Sequence, residues 1–241
     1  MERNIEFAVG EYYHVYSRGI DKGLIFKDQN DYYRFVKLLY LLNNTDPVNV
    51  FKESRGKRYG EIFYNKRGEP LVGVGAYCLM PNHVHLILRE ISEGGISAFA
   101  RKLFTSHSMI FNKKYKRVGP LFQSRFKARH IDNDDYLRYL FAYVHLNPIK
   151  LFKSDWKENG TGDEKEANNF LDTYSFSSYL DFIGKKRPSG NILNSKDFPG
   201  YFENQKEFKD FLSDWLTFGE EFAQAEFKDS NRGGENVLGR T

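Results

Sequence analysis

The chain has 241 residues, 40% of them apolar and 17% aromatic, with a single cysteine and a formal net charge of +4. That is enough apolar chain for one sizeable core, and one Cys excludes both an internal disulfide framework and a Cys-cluster metal site. The first 150 residues hold 24 Lys and Arg against 15 Asp and Glu, and the rest 12 against 17, so a basic front suited to a polyanion precedes an acidic back.

Glu11 to Ser17 is rich in aromatics and bounded by Arg18-Gly19, which predicts a strand. Asp28 to Leu42 has apolar residues at helical spacing, with Asp28 or Asn30 as the cap. Asn43 to Glu69 is polar and reads as a loop with a short hairpin around Ile62-Phe63-Tyr64. Leu71 to Tyr77 and Asn82 to Arg89 are two strands joined near Met80-Pro81, and a helix follows from about Ser97 to Tyr115. Phe122 to Ile131 alternates apolar and basic residues as a strand would, and a helix capped within Asp132 to Asp135 runs to Asn147, before Pro148.

This order of elements implies an α+β fold with a ferredoxin-like antiparallel sheet and helices packed mainly on one face. Lys157 to Asn169 reads as a linker, Phe170 to Ile183 and Phe202 to Phe222 as helices of a C-terminal extension, and Lys228 to Thr241 as a disordered tail. The expected division is 1–155, 156–227 and 228–241. No basic-then-apolar leader is seen, and no apolar run approaches the ~20 residues that span a bilayer. The expectation is a soluble cytoplasmic protein without a membrane partner.

His83-Val84-His85 lies within the second strand of the pair. A period of two puts both imidazoles on one face and Val84 and Leu86 on the other. A lone His is usually structural, but two side by side can chelate a divalent metal. Tyr143 and Asn147 stand four apart on the helix that runs to Asn147, which sets a phenol and an amide on one helical face. Together they would make a metal-assisted nucleophilic site for phosphate chemistry, with the metal as Lewis acid. Tyr136 and Tyr139 read as an aromatic helix stripe, Asn82 as a turn residue, Cys78 as a core residue, and His145 as a surface or DNA-contact residue. Arg101, Lys102, Lys113, Lys114, Lys116, Arg117, Arg125, Lys127 and Arg129 fall in a stretch without one acidic residue, which points to nucleic acid. Core packing is the expectation for Phe122 and Phe126.

Pro81 to Leu88 resembles the His-hydrophobic-His motif of single-tyrosine transposases, and Tyr143 to Pro148 resembles their tyrosine helix. Tyr13 to Gly19, Phe122 to Lys127 and Tyr174 to Tyr179 are similar to stretches of the REP-associated branch. The resemblance spans roughly Tyr12 to Gly184. It implies a ferredoxin-like fold, a divalent metal (Mg²⁺ or Mn²⁺), and recognition of hairpins in single-stranded DNA. It also implies cleavage and rejoining through a covalent 5′-phosphotyrosine. Carried over, His83, His85 and Asn147 would be metal ligands and Tyr143 the nucleophile. Classical relatives carry Gln where this chain has Asn147. Arg18 and the basic stretch would contact DNA, and the protein would act as a monomer or homodimer. Two other readings stand beside it: a domesticated hairpin-binding protein without catalysis, and a phosphodiesterase that uses water, for which Tyr143 is dispensable.

Overall fold

A computed structural model describes residues 5–156, 161 and 163–217. In chain order these residues form β1 (Tyr12–Arg18), α1 (Gln29–Leu41), α2 (Val50–Ser54), β2 (Val72–Met80), β3 (His83–Glu90) and α3 (Gly95–Tyr115). There follow β4 (Lys127–Ile131), α4 (Asp134–Leu146), α5 (Ile149–Phe152), α6 (Glu164–Leu171), α7 (Tyr179–Phe182) and α8 (Gln205–Thr217). The sheet order is β2-β3-β1-β4 with every neighbouring pair antiparallel. With α1 and α3 as the two crossovers, this is the ferredoxin-like arrangement.

Strand alternation sorts the sheet into two faces. Val84, Leu86 and Leu88 of β3 join Tyr13 and Val15 of β1 in a core with Phe35, Leu38, Phe99 and Leu103 of α1 and α3. The intervening Ile87 joins Ala76, Cys78 and Met80 in a second core with Leu140 and Val144 of α4 and Phe208 of α8. The crossover helices thus share one face, and α4 with the C-terminal helices covers the other. All nine residues of β2 are buried, as a strand covered on both faces demands. Cys78 is a buried free thiol in that second core.

The helix caps follow local chemistry. Asp28 accepts from the Asp31 amide at the start of α1, and Asn133 accepts from the Tyr136 amide at the start of α4. α4 stops at Asn147 because Pro148 supplies no N–H and cannot continue the ladder.

Several elements differ from the sequence expectations. Around Ile62-Phe63-Tyr64 there is a 3-10 turn over Tyr59–Tyr64 rather than a hairpin, and Ile62 and Phe63 insert into the core. Of Phe122 to Ile131, only Lys127–Ile131 pairs as a strand. Phe122 makes an isolated bridge to Gly19, and both it and Phe126 are buried, so core anchoring wins over strand pairing.

The expected linker includes part of α6, capped by the Asp163 side chain. The expected helix Phe170 to Ile183 is broken, because 174–178 leaves helical geometry to cover the edge of β2. There the Tyr174 hydroxyl donates to Leu79 O at 2.5 Å, the Leu79 amide to Phe176 O at 2.9 Å, and the Tyr77 amide to Ser178 Oγ at 2.9 Å. Pairing this edge removes a row of open backbone groups. The expected tail from Lys228 lies outside the described residues.

Candidate metal and nucleophile site

His83 and His85 sit on the α4 side of β3, with ring centroids 4.9 Å apart and planes at 90°. α4 crosses this face and brings the Tyr143 ring to 5.2 Å from that of His85, again edge-on at 88°. Asn147, one turn on, presents Oδ1 at 3.5 Å from His83 Nε2. The four residues singled out from the sequence therefore converge, although β3 and α4 lie some sixty residues apart in the chain. Tyr143 and Asn147 are buried, and His83 is half-buried.

Hydrogen-bond partners decide the state of His83. Asn82 Nδ2 donates to Lys22 O at 3.1 Å, which fixes Oδ1 as the end of that amide facing the imidazole. Asn82 Oδ1 stands 2.6 Å from His83 Nδ1, so Nδ1 carries the proton and donates. In the neutral ring, Nε2 is then a lone pair. It faces Asn147 Oδ1, whose own Nδ2 lies 3.5 Å from Tyr143 O. Two acceptors facing each other repel unless a proton or a cation lies between them. Asn147 is also the C-cap of α4, where the helix dipole favours positive charge. Asn82 is thus the turn residue expected, and its amide sets the His83 tautomer as well.

The turn it occupies holds the loop after β1. The Gly19 amide donates to Asn82 O at 2.8 Å and the Ile25 amide to Pro81 O at 2.9 Å. A Cβ on Gly19 would sit 2.1 Å from Gly23 O, so only glycine fits there.

Sequence reasoning missed His14. It lies on β1 beside β3, and its Nε2 is 2.9 Å from His85 Nδ1, with the rings stacked at 5.1 Å. Its ring is also edge-on to Tyr143 at 5.8 Å. Burial first, and the Arg129 charge second, hold His14 down at about 3, so it is neutral. Tyr16, next along this face, stacks on His14 at 5.0 Å, and burial raises its phenol while Arg129 opposes. The signal for His14 was present in the alternation of β1, since residues 12, 14, 16 and 18 share a face. What was missing was the pairing of β1 with β3.

His145 is a correction: it is wholly buried rather than a surface or DNA contact. Its Nδ1 donates to Phe141 O at 2.8 Å, and its Nε2 meets Ser178 Oγ at 2.7 Å, so it ties α4 to the segment covering β2. Burial lowers it to about 3. Tyr139 packs on Trp215 of α8 at 5.2 Å. Tyr136 lies under Arg129, whose guanidinium carbon is 4.4 Å from the ring centroid, and burial pushes its phenol up to about 12.

The fold divides the basic stretch. Arg101, Lys102, Lys113 and Lys114 belong to α3, and Lys116 and Arg117 follow it, all on the side of the sheet away from the imidazoles. Lys102 donates to Asn44 O at 2.7 Å, Lys114 is 2.7 Å from Asp28 and 2.8 Å from Asp31, and Arg117 is 2.9 Å from Asn112 Oδ1. Arg101, Lys113, Lys116 and Arg125 are exposed. By strand alternation Lys127 and Arg129 stand on the imidazole face of β4, opposite Tyr16 and His14, and Arg18 pairs with His83 across β1 and β3. Three of the ten cations therefore border the site.

Among the described residues no three His, Cys, Asp or Glu side chains gather in a metal-binding cluster. The donor set is two imidazoles and an amide oxygen, with a phenol beside them on an antiparallel α+β sheet, and donors of this kind suit a divalent cation. Residues 43–147, which include His83, His85, Tyr143 and Asn147, match the family described as IS200-like transposases. A solved structure described as a REP-associated tyrosine transposase bound to a REP hairpin is similar to the chain at 16% identity, over 83% of this chain and 92% of that one, with a TM-score of 0.46. No curated protein matches. Among the described residues no helix is long and apolar enough to cross a membrane.

Proposed function

We propose that the protein is a metal-dependent transposase that cleaves and rejoins single-stranded DNA next to hairpins, through a covalent 5′-phosphotyrosine on Tyr143. The observation that carries this reading is the convergence of His83, His85 and Asn147 beside a buried phenol, with His83 Nε2 and Asn147 Oδ1 3.5 Å apart. The stretches resembling the REP-associated branch lie partly outside the family match, at Tyr13 to Gly19 and Tyr174 to Tyr179, and both border the site or brace α4 in this fold.

In this reading His83, His85 and Asn147 hold Mg²⁺ or Mn²⁺. When bound, the ion supplies Lewis-acid polarisation of the scissile phosphate. Tyr143 Oη attacks phosphorus, the P–O bond to the 3′ oxygen breaks, and that oxygen leaves as a hydroxyl after taking up a proton. The phosphoester bond is conserved on tyrosine, so a second 3′ hydroxyl can reverse the step without an external energy source. A phenol ordinarily titrates near ~10, so Tyr143 needs its proton withdrawn or its anion stabilised. Arg18, Lys127 and Arg129 supply positive charge along the same face. All residues of this chemistry precede residue 155, within the proposed catalytic unit, and the protein acts on DNA in the cytoplasm as a monomer or homodimer.

The test is a denaturing gel of the protein with labelled single-stranded hairpin DNA and Mn²⁺. A slow covalent band that requires metal and disappears in Tyr143→Phe is the expected result. Cleavage without an adduct in either protein would replace this reading with the water-using phosphodiesterase. Binding without cleavage would replace it with the non-catalytic hairpin binder.

A further inference from the structure

We propose that His14 is a positioning residue for His85, holding its ring by a hydrogen bond to Nδ1 and switching tautomer with it when His85 takes a divalent metal through Nε2. This rests on the metal reading above. His14 is only 2% exposed and comes from a different strand, and its Nε2 lies 2.9 Å from His85 Nδ1. Its other nitrogen, Nδ1, is buried without a hydrogen-bond partner among the described residues.

Two pairs of neutral tautomers fit this bond. In the first, His14 donates from Nε2 and His85 keeps its proton on Nε2, which leaves no lone pair there for a metal. In the second, His85 donates from Nδ1 and its Nε2 is bare, while His14 carries its proton on Nδ1. The exchange conserves protons: one crosses the shared bond, His85 Nε2 releases one, and His14 Nδ1 takes one up. An orphaned buried N–H is costlier than an orphaned acceptor, so the first arrangement is favoured without metal and the second with it. His83 differs, because Asn82 already holds it in the Nδ1–H form. Outer partners of this kind commonly fix ligand orientation and basicity.

Two measurements test the assignment. The first is Mn²⁺ affinity by titration calorimetry at fixed pH for wild type, His14→Phe and His14→Gln, with thermal melts alongside. Phe fills the ring volume but accepts no hydrogen bond, whereas Gln can still accept from His85 Nδ1. The expected result is about a 10- to 100-fold loss in His14→Phe and recovery of most of it in His14→Gln.

The second needs no variant: ¹⁵N-histidine spectra of the wild type with and without Zn²⁺ as a diamagnetic probe. Both His14 and His85 are expected to move to the Nδ1–H tautomer on loading. Wild-type Mn²⁺ affinity in a folded His14→Phe, or an unchanged His14 ring in the zinc-loaded wild type, overturns the assignment of His14 alone. Absence of any Mn²⁺ binding by the wild type overturns the metal reading and this assignment with it.

Discussion

His83 Nε2 stands 3.5 Å from Asn147 Oδ1, and on the other side of the ring His83 Nδ1 donates to Asn82 Oδ1 at 2.6 Å. A turn residue thereby sets the donor state of a strand residue against a helix cap. Replacing Asn82 with Ala frees the His83 tautomer and loosens the loop that Asn82 ties through Lys22 O. Metal affinity is expected to fall by about 10- to 100-fold, and calorimetric titration with Mn²⁺ checks it. Asn147→Asp should tighten Mn²⁺ instead, because a carboxylate replaces a neutral oxygen donor.

The division of the basic residues makes a sharper prediction than their sequence clustering. Arg18 pairs with His83, and Lys127 lies on the same face of the sheet opposite Tyr16, whereas Arg101 stands on α3 behind the sheet. On single-stranded DNA, each phosphate that a side chain neutralises adds about 0.7 to the steepness of log K against log salt. Arg18→Ala and Lys127→Ala are expected to weaken hairpin-DNA binding and make that slope shallower, while Arg101→Ala leaves both unchanged. Fluorescence anisotropy over a salt series distinguishes the two groups.

His107 predicts a pH dependence of stability unconnected with the site. It is buried on α3 among Phe26, Phe35 and Phe111, with Nε2 2.8 Å from Ile25 O, and burial lowers it to about 4. The unfolded chain binds this proton near pH 6.5 and the folded chain does not, so stability is complete above that pH and declines as pH falls. Across the window from 6.5 to about 4, His107 accounts for a loss on the order of 3 kcal/mol. Urea unfolding of wild type and His107→Phe at several pH values isolates it: the difference between the two proteins should shift in favour of the variant on acidification.

Ser178 joins three elements. Its Oγ accepts from the Tyr77 amide at 2.9 Å and meets His145 Nε2 at 2.7 Å, and its own amide donates to Tyr77 O at 2.9 Å. Because the His145 Nδ1 proton is donated to Phe141 O, the serine hydroxyl is the donor to Nε2. Ser178→Ala leaves a buried imidazole nitrogen and a buried amide unsatisfied, at a cost of about 1–3 kcal/mol. Chemical denaturation should show this loss, and the Mn²⁺ affinity of the folded fraction should stay near that of wild type.

The sequence by itself determined the local elements of the candidate site. Alternation put His83 and His85 on one side of β3 and Val84 and Leu86 on the other, and helical spacing put Tyr143 above Asn147, because these relations are local and depend only on backbone period. Asp28 as a cap and Pro148 as a stop were legible for the same reason. Where a segment's fate depended on a distant partner, local pattern misled. Residues 122–126 alternate like a strand but only Lys127–Ile131 pairs as one, His145 reads as polar surface but is buried against Ser178, and residues 174–178 have helical spacing but pair with the edge of β2. Only the tertiary structure decided that β1 lies against β3, which turns His14 into the partner of His85. Only it set the basic side chains of α3 on the opposite side of the sheet from those of β4. Strand order is fixed by burying both faces of the sheet at once, a condition on the whole chain that no single stretch of sequence contains.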